Sequence, residues 1–332
     1  MSTRRMFRGS RRASGRALAG AGVLVLASGC GLLGADSDPA PGPQTPVKVA
    51  ALALTDVAPL HLATSHGLFA AEDLAVTLVP SSSGQDAITK LMSGDADIAY
   101  AGDIAIVTAV RRGLPLKIIA EAAVARPESM RIMTRNDGSV PSVAALAGKK
   151  LGRNAPNGVS DTLTKSLMFD HGADPNSVTW LNLDWQLMIP ALHRGDIDAA
   201  LLPEPVLTKA KKENLYPLID PAGPATSAHD FPTGSYAVTQ DRAAGLGAAI
   251  AGFQRAMRTA ADLANTNPVE VETIATRHLN IDAGTAALMT VPYFRSDPSL
   301  PELQRVPDLM QRYGALDRRI EMATLIIAPP RP

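Results

Sequence analysis

Two segments of the chain, ITKLMSGDADIA at residues 88–99 and IPALHRGDIDAA at residues 189–200, match each other at a distance of 101 residues. Half of the aligned positions are identical, including a Gly-Asp pair and a second Asp two residues later. Each copy predicts a helix, a tight turn and a buried strand, because glycine readily takes the left-handed conformation that ends a helix. A single duplicated unit favours two similar lobes over a stacked array. The alternative is that unrelated helix–turn–strand units share this pattern.

Outward from this repeat, short strand-like segments alternate with helical ones. Predicted strands are 47–52, 75–79, 97–101, 116–120, 150–152, 178–181 and 198–202, and predicted helices are 59–69, 85–92, 104–111, 161–169 and 185–193. Such alternation is typical of βαβ units, so we predict an α/β fold with mainly parallel sheets. After Asp241 the pattern is helical, over 243–265, 269–278 and 301–319, and we expect these extra C-terminal helices to cover the first lobe.

Residues 1–29 have the composition of an export signal. They carry six arginines and no acid, and the uncharged run from Ala17 to Gly29 is only thirteen residues long. A membrane-spanning helix needs about 20 residues. A basic start, a short apolar core and small residues at its end are typical of a signal peptide; the alternative is a short buried helix. Residues 3–7, TRRMF, also resemble a twin-arginine signal, so both the Sec and the twin-arginine routes stay open.

The end of the signal predicts a lipid anchor. The residues Leu26-Ala27-Ser28-Gly29-Cys30 resemble a bacterial lipobox, which implies that Cys30 is acylated and becomes the mature N-terminus; Ala27 stands where that pattern usually has Leu. Cys30 is the single cysteine, so an intrachain disulfide is excluded. The Pro- and Gly-rich residues after it complete a predicted linker over 30–46, which at ~3.1 Å per residue reaches about 50 Å. We therefore expect a protein anchored on the outer face of the bacterial cytoplasmic membrane.

Charge and motif content exclude several function classes. The chain has 32 basic and 32 acidic residues, and removal of residues 1–29 leaves 26 against 32, a net charge of −6. A nucleic-acid partner would need a basic stripe, and the sequence has none. The six histidines are scattered, and neither His-Glu-x-x-His nor Cys-x-x-Cys occurs. We therefore predict no metal site, no cofactor and no catalytic residues.

Loops that follow the predicted strands hold the candidate ligand-binding residues, because ligands of open α/β sheets bind beyond the carboxyl ends of the strands. Ser82–Gly84 and Asn157–Ser160 each precede a helix, whose free N–H groups favour an anion; ordinary N-capping is the alternative. Three predicted cleft acids, Asp56, Asp103 and Glu204, either complement helix N-termini or accept a hydrogen bond from an amine or ring N–H of the ligand. Anion-binding N–H groups together with such a carboxylate would suit a zwitterionic ligand. The candidates are Thr55, Asp56, Ser82, Ser83, Gly84, Gly102, Asp103, Asn157, Gly158, Val159, Ser160, Asp184, Trp185 and Glu204.

The order and spacing of several motifs from Val47 to Leu279 resemble those of the periplasmic solute-binding proteins of ABC importers, in the family that binds sulfonates, nitrate, taurine or thiamine precursors. The matching motifs are Ala58-Pro59-Leu60, His66-Gly67-Leu68-Phe69, Ser82-Ser83-Gly84-Gln85-Asp86-Ala87, Ser93-Gly94-Asp95-Ala96-Asp97-Ile98-Ala99, Leu146-Ala147-Gly148-Lys149-Lys150-Leu151-Gly152, Gly195-Asp196-Ile197-Asp198-Ala199 and Glu204-Pro205. The resemblance implies a monomer that captures a small molecule and delivers it to an ABC permease with its ATPase.

The resemblance also implies a type II periplasmic-binding-protein fold, with two lobes joined by two crossings and a hinge. On this basis the first lobe comprises residues 47–127 and 235–332, and the second comprises residues 128–234. We expect the crossings near residues 127–133 and 231–238.

The resemblance points to two ligand classes. Gly102-Asp103-Ile104 is most similar to the sulfonate-binding branch, which implies an aliphatic sulfonate or a taurine-like compound. Pro59-Leu60 followed by Leu62-Ala63 is more similar to the branch that binds a thiamine pyrimidine precursor. The same fold class contains enzymes, among them a thiamine-pyrimidine synthase, but that resemblance would require a cysteine-rich motif and only Cys30 is present. We therefore predict a binding protein and not an enzyme.

Overall fold

A computed structural model describes residues 43–224, 226 and 228–329 of the chain. The predicted signal peptide, Cys30 and most of the predicted linker lie outside these residues. Within them, no helix combines the length and the apolar character needed to cross a membrane.

The described residues form short strands that alternate with helices. The strands are β1 (Thr45–Ala51), β2 (Leu74–Pro80), β3 (Ile98–Ala101), β4 (Leu116–Val124), β5 (Met130–Thr134), β6 (Lys150–Arg153), β7 (Thr179–Asn182), β8 (Ala199–Pro203), β9 (Tyr216–Ile219), β10 (Pro232–Thr239) and β11 (Tyr293–Phe294). The helices are α1 (Ala58–Ser65), α2 (Gly84–Ser93), α3 (Asp103–Arg111), α4 (Val159–Asp170), α5 (Trp185–Arg194), α6 (Val206–Lys212), α7 (Gln240–Gly245), α8 (Gly247–Thr266), α9 (Pro268–His278), α10 (Ala283–Ala286) and α11 (Leu300–Arg312). Single 3₁₀ turns lie at Thr55–Val57, Ala70–Glu72, Ala144–Leu146 and Met322–Thr324.

The strands form two sheets, with the order β11-β4-β10-β3-β1-β2 in the first and β7-β6-β8-β5-β9 in the second. The α/β fold with two lobes is thereby confirmed, but both sheets are mixed. Strands β1 to β4 share one direction, as do β6 to β9, whereas β10 and β5 are inserted antiparallel to their neighbours. Each inserted strand is the first one after a crossing. Such a strand enters its sheet at the edge where the parallel strands end, so it runs the opposite way.

The duplicated segments take the same structure in both sheets. Gly94 and Gly195 end α2 and α5 in the left-handed conformation, with φ of 83° and 76°. Directly before each following strand lies an Asp whose Oδ2 accepts a backbone N–H of the neighbouring strand. Asp97 accepts from Lys48 at 2.8 Å, and Asp198 accepts from Lys150 at 2.9 Å. The matched sequence therefore reflects a matched link between the turn and the first parallel strand of each sheet.

The chain passes between the sheets twice. It leaves the first sheet at Val124 and enters the second at Met130, then leaves the second at Ile219 and returns at Pro232. The predicted lobe boundary at 127/128 lies in the first connection, whereas the one at 234/235 falls inside β10. The hinge at these connections stays a prediction.

The C-terminal helices pack on the first sheet, as expected for their apolar faces. Phe253 of α8 stacks on Phe69 with ring centroids 5.4 Å apart, and it contacts Tyr236 of β10 at the same centroid distance. The predicted helix 243–265 is split at Leu246 into α7 and α8. The predicted helix 301–319 was too long at its end: α11 stops at Arg312, and Gly314 takes a left-handed φ of 73°.

Candidate functional site

A cleft lies where the carboxyl ends of the parallel strands of the two sheets face each other. Its walls come from both sheets and from the segment before β11. The lining residues are Leu52, Leu54, Thr55, Asp56, Gly84, Gln85, Tyr100, Gly102, Ala105, Ser129, Met130, Asn154, Ala155, Gly158, Val159, Ser160, Trp185, Pro203, Thr233 and Pro292. The walls touch at two hydrogen bonds: Gln85 Nε2 donates to the carbonyl of Pro156 at 3.2 Å, and Thr55 Oγ1 donates to the carbonyl of Glu204 at 3.4 Å.

Most of the residues predicted to bind ligand line this cleft. Those that do are Thr55, Asp56, Gly84, Gly102, Gly158, Val159, Ser160 and Trp185. The remaining candidates, which lie beside the cleft without lining it, are Ser82, Ser83, Asp103, Asn157, Asp184 and Glu204. A role in ligand binding stays a prediction for the first group. In the second group, the hydrogen bonds of Ser82, Ser83, Asn157 and Glu204 favour structural roles.

Two of the predicted loops use their polar groups to start a helix. The Ser83 hydroxyl accepts the backbone N–H of Asp86 at 3.1 Å, and Asp86 Oδ2 accepts the backbone N–H of Ser82 at 2.9 Å. In the second lobe, Asn157 takes a left-handed φ of 55° and donates its N–H to Asp161 Oδ2 at 2.8 Å. The capping alternative therefore describes these side chains best, because their oxygens and N–H groups are already partnered.

Asp56 provides the acidic group of the cleft. Its Oδ2 accepts hydrogen bonds from the Thr233 hydroxyl at 2.6 Å and from the Tyr100 hydroxyl at 3.0 Å. Its Oδ1 accepts none from any other residue that the structure describes. Two hydroxyl donors, together with the backbone N–H of Asp56 itself, thus fix the orientation of the carboxylate.

The surroundings of Asp56 make the charged form costly. Burial raises the pKa of the carboxyl above its ordinary value, and the hydrogen bonds from Thr233 and Tyr100 lower it by less. Among the described residues that line the cleft there is no Lys, Arg or His. A ligand with an N–H donor, and above all an ammonium group, would therefore stabilise the ionised carboxylate.

Asp103 was predicted to face the ligand, but the structure buries it beneath the cleft at the start of α3. Its side chain is only 1% exposed, and neither carboxyl oxygen makes a hydrogen bond of normal geometry to a described residue. Burial raises the pKa of Asp103 to about 8; the nearby Ser235 hydroxyl lowers it, and Glu121 and Asp56 raise it. Asp103 is therefore largely protonated at neutral pH, which the sequence pattern did not indicate.

Glu204 was also predicted to reach the ligand, but its carboxylate is occupied by the protein. It is 2% exposed and accepts hydrogen bonds from the Thr208 N–H at 3.0 Å, the Thr208 hydroxyl at 2.8 Å and the Thr290 N–H at 3.2 Å. Thr208 lies in α6 of the second lobe, and Thr290 lies in the C-terminal segment. Glu204 therefore joins these two segments, and we leave it out of the proposed ligand-binding set.

Replacement of Glu204 by Ala is expected to lower the free energy of unfolding by about 2–3 kcal/mol, because it leaves two backbone N–H groups and a hydroxyl without their charged acceptor. Urea unfolding at neutral pH measures this change. The matched control is Glu213→Ala, which removes an exposed acid directly after α6. This substitution should change the free energy of unfolding little. A loss below 1 kcal/mol for Glu204→Ala would contradict the assigned role.

Several lining residues were missed by the sequence reading. Ser129, Met130 and Thr233 come from the beginnings of β5 and β10. A prediction based on parallel βαβ units places ligands only at the carboxyl ends of strands, so it misses strands whose first residues lie at the cleft. Pro292 belongs to a segment that is far away in sequence, and only the packing of the C-terminal region brings it to the cleft.

Two lobes of mixed sheet around a cleft define the periplasmic-binding-protein fold, and solved structures confirm it. The alkanesulfonate-binding protein SsuA from Xanthomonas axonopodis pv. citri, bound to MOPS, is 17% identical with a TM-score of 0.72, and the match covers 86% of this chain and 99% of that one. The ligand-binding component of an ABC-type import system from Staphylococcus aureus is 14% identical with a TM-score of 0.74, over 86% and 97% of the two chains. The nitrate-binding protein NrtA from Synechocystis PCC 6803 is 15% identical with a TM-score of 0.73, over 85% and 84%.

The chain belongs to the NMT1/THI5-like family, whose model matches residues 54–271. The match covers the whole second sheet and strands β2, β3, β4 and β10 of the first, and it includes all of the cleft residues except Leu52 and Pro292. The family resemblance inferred from the sequence motifs is thereby confirmed. A search of curated proteins finds no match to this sequence.

Proposed function

We propose that this protein is the extracytoplasmic substrate-binding component of an ABC importer, and that it captures a small organic solute in the cleft between its lobes. The observation that carries the proposal is the cleft itself, in which one oriented carboxylate, Asp56, lies among mostly apolar lining residues. Such sites, with few and well-placed polar groups, are typical of small-molecule binding. The partners are a permease and its ATPase, and both walls come from one chain, so a monomer suffices.

The proposal places the protein at the outer face of the cytoplasmic membrane. Residues 1–29 would direct export, by the Sec or the twin-arginine route, and acylated Cys30 would hold the protein to the membrane. The linker then separates the cleft from the anchor. The proposal assigns no catalytic residue. Separately, among the described residues no group of three or more His, Cys, Asp or Glu side chains is placed to hold a metal ion.

Replacement of Cys30 by Ser is expected to convert an anchored protein into a released one, because the hydroxyl does not replace the thiol in lipidation. Fractionation of cells, followed by immunoblotting, measures the membrane-bound fraction. Ser28→Ala, a conservative change at the same cleavage region, is the control and should stay anchored. Equal retention of the Cys30→Ser protein would refute the anchor.

Among the ligands predicted from the sequence, the cleft favours those with a nitrogen donor. A plain sulfonate would place its charge near ionised Asp56, and the lining residues supply no cation to offset the repulsion. A taurine-like compound avoids this conflict, since its ammonium group pairs with the carboxylate. We therefore propose a taurine-like solute ahead of a simple alkanesulfonate.

A thiamine pyrimidine precursor is the second candidate. It is favoured by Asp56, which could accept from a ring amino group, and by Trp185, an aromatic residue that lines the cleft. Thermal-shift screening tests both candidates, because a ligand that binds the folded state raises its apparent stability. The panel comprises taurine, alkanesulfonates, nitrate and pyrimidine precursors. Stabilisation by nitrate or a simple alkanesulfonate alone would reject the role of Asp56, and the absence of any stabilising solute would count against the importer function.

A further inference from the structure

Three buried donor atoms on the second wall of the cleft make no hydrogen bond to any residue that the structure describes. They are Nδ2 of Asn154, Oγ of Ser160 and Nε1 of Trp185. All three residues line the cleft. An amide NH₂, a hydroxyl and an indole N–H can each donate a hydrogen bond, and the indole can only donate. Because nearly all buried polar groups in folded proteins have a partner, three unpaired donors on one wall indicate a binding surface.

The fold brings these donors together from separate elements. Asn154 follows β6 directly, and Trp185 begins α5, soon after β7. Strands β6 and β7 are parallel neighbours, paired from Lys150↔Thr179 to Arg153↔Asn182, so both residues reach the same edge of the sheet. Ser160 is the second residue of α4 and is only 2% exposed. The positive end of the dipole of this twelve-residue helix adds to the donor character of the wall.

Asp161, the buried acid next to Ser160, forms an ion pair through one of its oxygens, while the other makes no hydrogen bond to a described residue. Asp161 Oδ2 accepts hydrogen bonds from Arg153 Nη1 at 3.1 Å and from the Asn157 N–H at 2.8 Å. Arg153 also lies over the Trp180 ring, 5.4 Å from its centroid. The unpaired side-chain atoms that line the second wall are thus donors, and the buried acid beside them is paired with Arg153, whereas Asp56 on the first wall offers an acceptor. The two sides of the cleft therefore differ in hydrogen-bonding character, since the second wall offers donors and the first offers an acceptor.

We propose that Asn154, Ser160 and Trp185 form an oxyanion subsite, which binds a carboxylate or a sulfonate at one end of a zwitterionic ligand whose ammonium group is bound by Asp56. The assignment of the ammonium end rests on the proposed function, and the oxyanion subsite rests on the unpaired donors. The apolar side chains between the two walls, among them Leu54 and Met130, contact the carbon spacer of such a ligand.

The test is calorimetry with ω-amino acids and ω-aminosulfonates that have two to five carbons between the charged groups. Alkylamines and ω-amino carboxamides of equal length are the uncharged-end controls. Ser160→Ala and Trp185→Phe each remove one donor and keep the packing, and Trp180→Phe makes the same aromatic change outside the cleft. We expect the best zwitterion to bind at least tenfold more weakly to each cleft variant, and equally well to Trp180→Phe, because a hydrogen bond to a charged group is lost.

Different results would overturn different parts of the proposal. Wild-type affinity in both Ser160→Ala and Trp185→Phe, or equal affinity for carboxamide and carboxylate, would reject the oxyanion subsite. So would the absence of binding by every zwitterion at millimolar concentration. If Asp56→Asn leaves zwitterion binding unchanged while the second-wall variants weaken it, the proposed role of Asp56 fails and the oxyanion subsite stands.

Discussion

Replacement of Asp56 by Asn is expected to weaken binding of the physiological solute at least a hundredfold. In the wild-type protein the hydroxyls of Tyr100 and Thr233 both donate to Oδ2 of Asp56. The substitution keeps the shape of the side chain and one oxygen that can accept from them. It removes the negative charge from a buried site, and loss of one member of a buried, hydrogen-bonded charge pair costs about 2–5 kcal/mol of binding free energy. Calorimetry with any solute that stabilises the wild-type protein measures the effect.

Asp184→Asn is the matched control for this substitution. Asp184 is exposed beside the cleft, at the start of α5, and its side chain makes no capping hydrogen bond. The same change of charge there should alter affinity less than threefold, because exposed charges are screened by solvent. A comparable loss in both variants would mean that general charge, and not contact with Asp56, governs binding.

The unliganded Asp56→Asn protein is expected to be at least as stable as the wild type at pH 8. Burial raises the pKa of Asp56, so the ionised carboxylate costs stability in the folded protein, and a neutral amide avoids that cost. Thermal unfolding without ligand measures this and also shows that the variant is folded. A lower melting temperature together with lost binding would attribute the binding defect to misfolding.

The second large effect is a loss of stability as pH rises from about 5 to 8. Burial raises the pKa of Asp103 to about 8 and that of Glu121 to about 7. In the unfolded chain both carboxyls release their protons near pH 4. Over this window the folded state therefore binds more protons than the unfolded state, so the free energy of unfolding falls, by up to about 1.4 kcal/mol per pH unit for each carboxyl.

Asp103→Asn separates the contribution of this carboxyl. Both of its oxygens lack a hydrogen bond of normal geometry to the described residues, so the amide loses no partner, and it cannot ionise. We expect the variant to show a flatter pH profile and a higher melting temperature than the wild type at pH 8, with little difference at pH 5. Asp184→Asn should leave the profile unchanged. A wild-type profile as flat as that of Asp103→Asn would show that Asp103 ionises without cost.

Because of Glu121, the stability of the Asp103→Asn protein should still fall somewhat as pH rises. It is 0% exposed, and it accepts hydrogen bonds from the Ser299 N–H at 3.0 Å and from Arg295 at 3.4 Å. These contacts lower its pKa, but burial outweighs them. Ser235 of β10 is paired with Glu121 of β4 in the sheet, and its hydroxyl is also near Asp103. The polar groups beneath the cleft thus come from strands and helices that are distant in sequence.

Local sequence was sufficient for the repeat and for much of the cleft edge. The helix-ending glycines act within their own turn, so a short pattern predicted that turn in both lobes, whereas the turn aspartates accept from strands 49 and 48 residues away. The loops after β1, β3 and β6 were found for the same reason, since a strand followed by a helix start marks the ligand edge of a parallel sheet. Thr55, Asp56, Gly102 and Ser160 accordingly line the cleft.

Tertiary structure decided which acid lines the cleft. Asp56, Asp103 and Glu204 all follow parallel strands at the cleft-facing edges of the two sheets, so sequence position did not distinguish them. Contacts with remote segments distinguished them: Thr233 donates a hydrogen bond to Asp56, and the Thr290 N–H donates one to Glu204. Burial raises the pKa of Asp103, which favours its neutral form. The sequence pattern also did not predict that β5 and β10 run antiparallel to their neighbours, because the direction of these strands depends on where the chain arrives from the other lobe. The sequence by itself determined two α/β lobes with a ligand edge; long-range packing set the charge and the hydrogen-bonding character of the cleft.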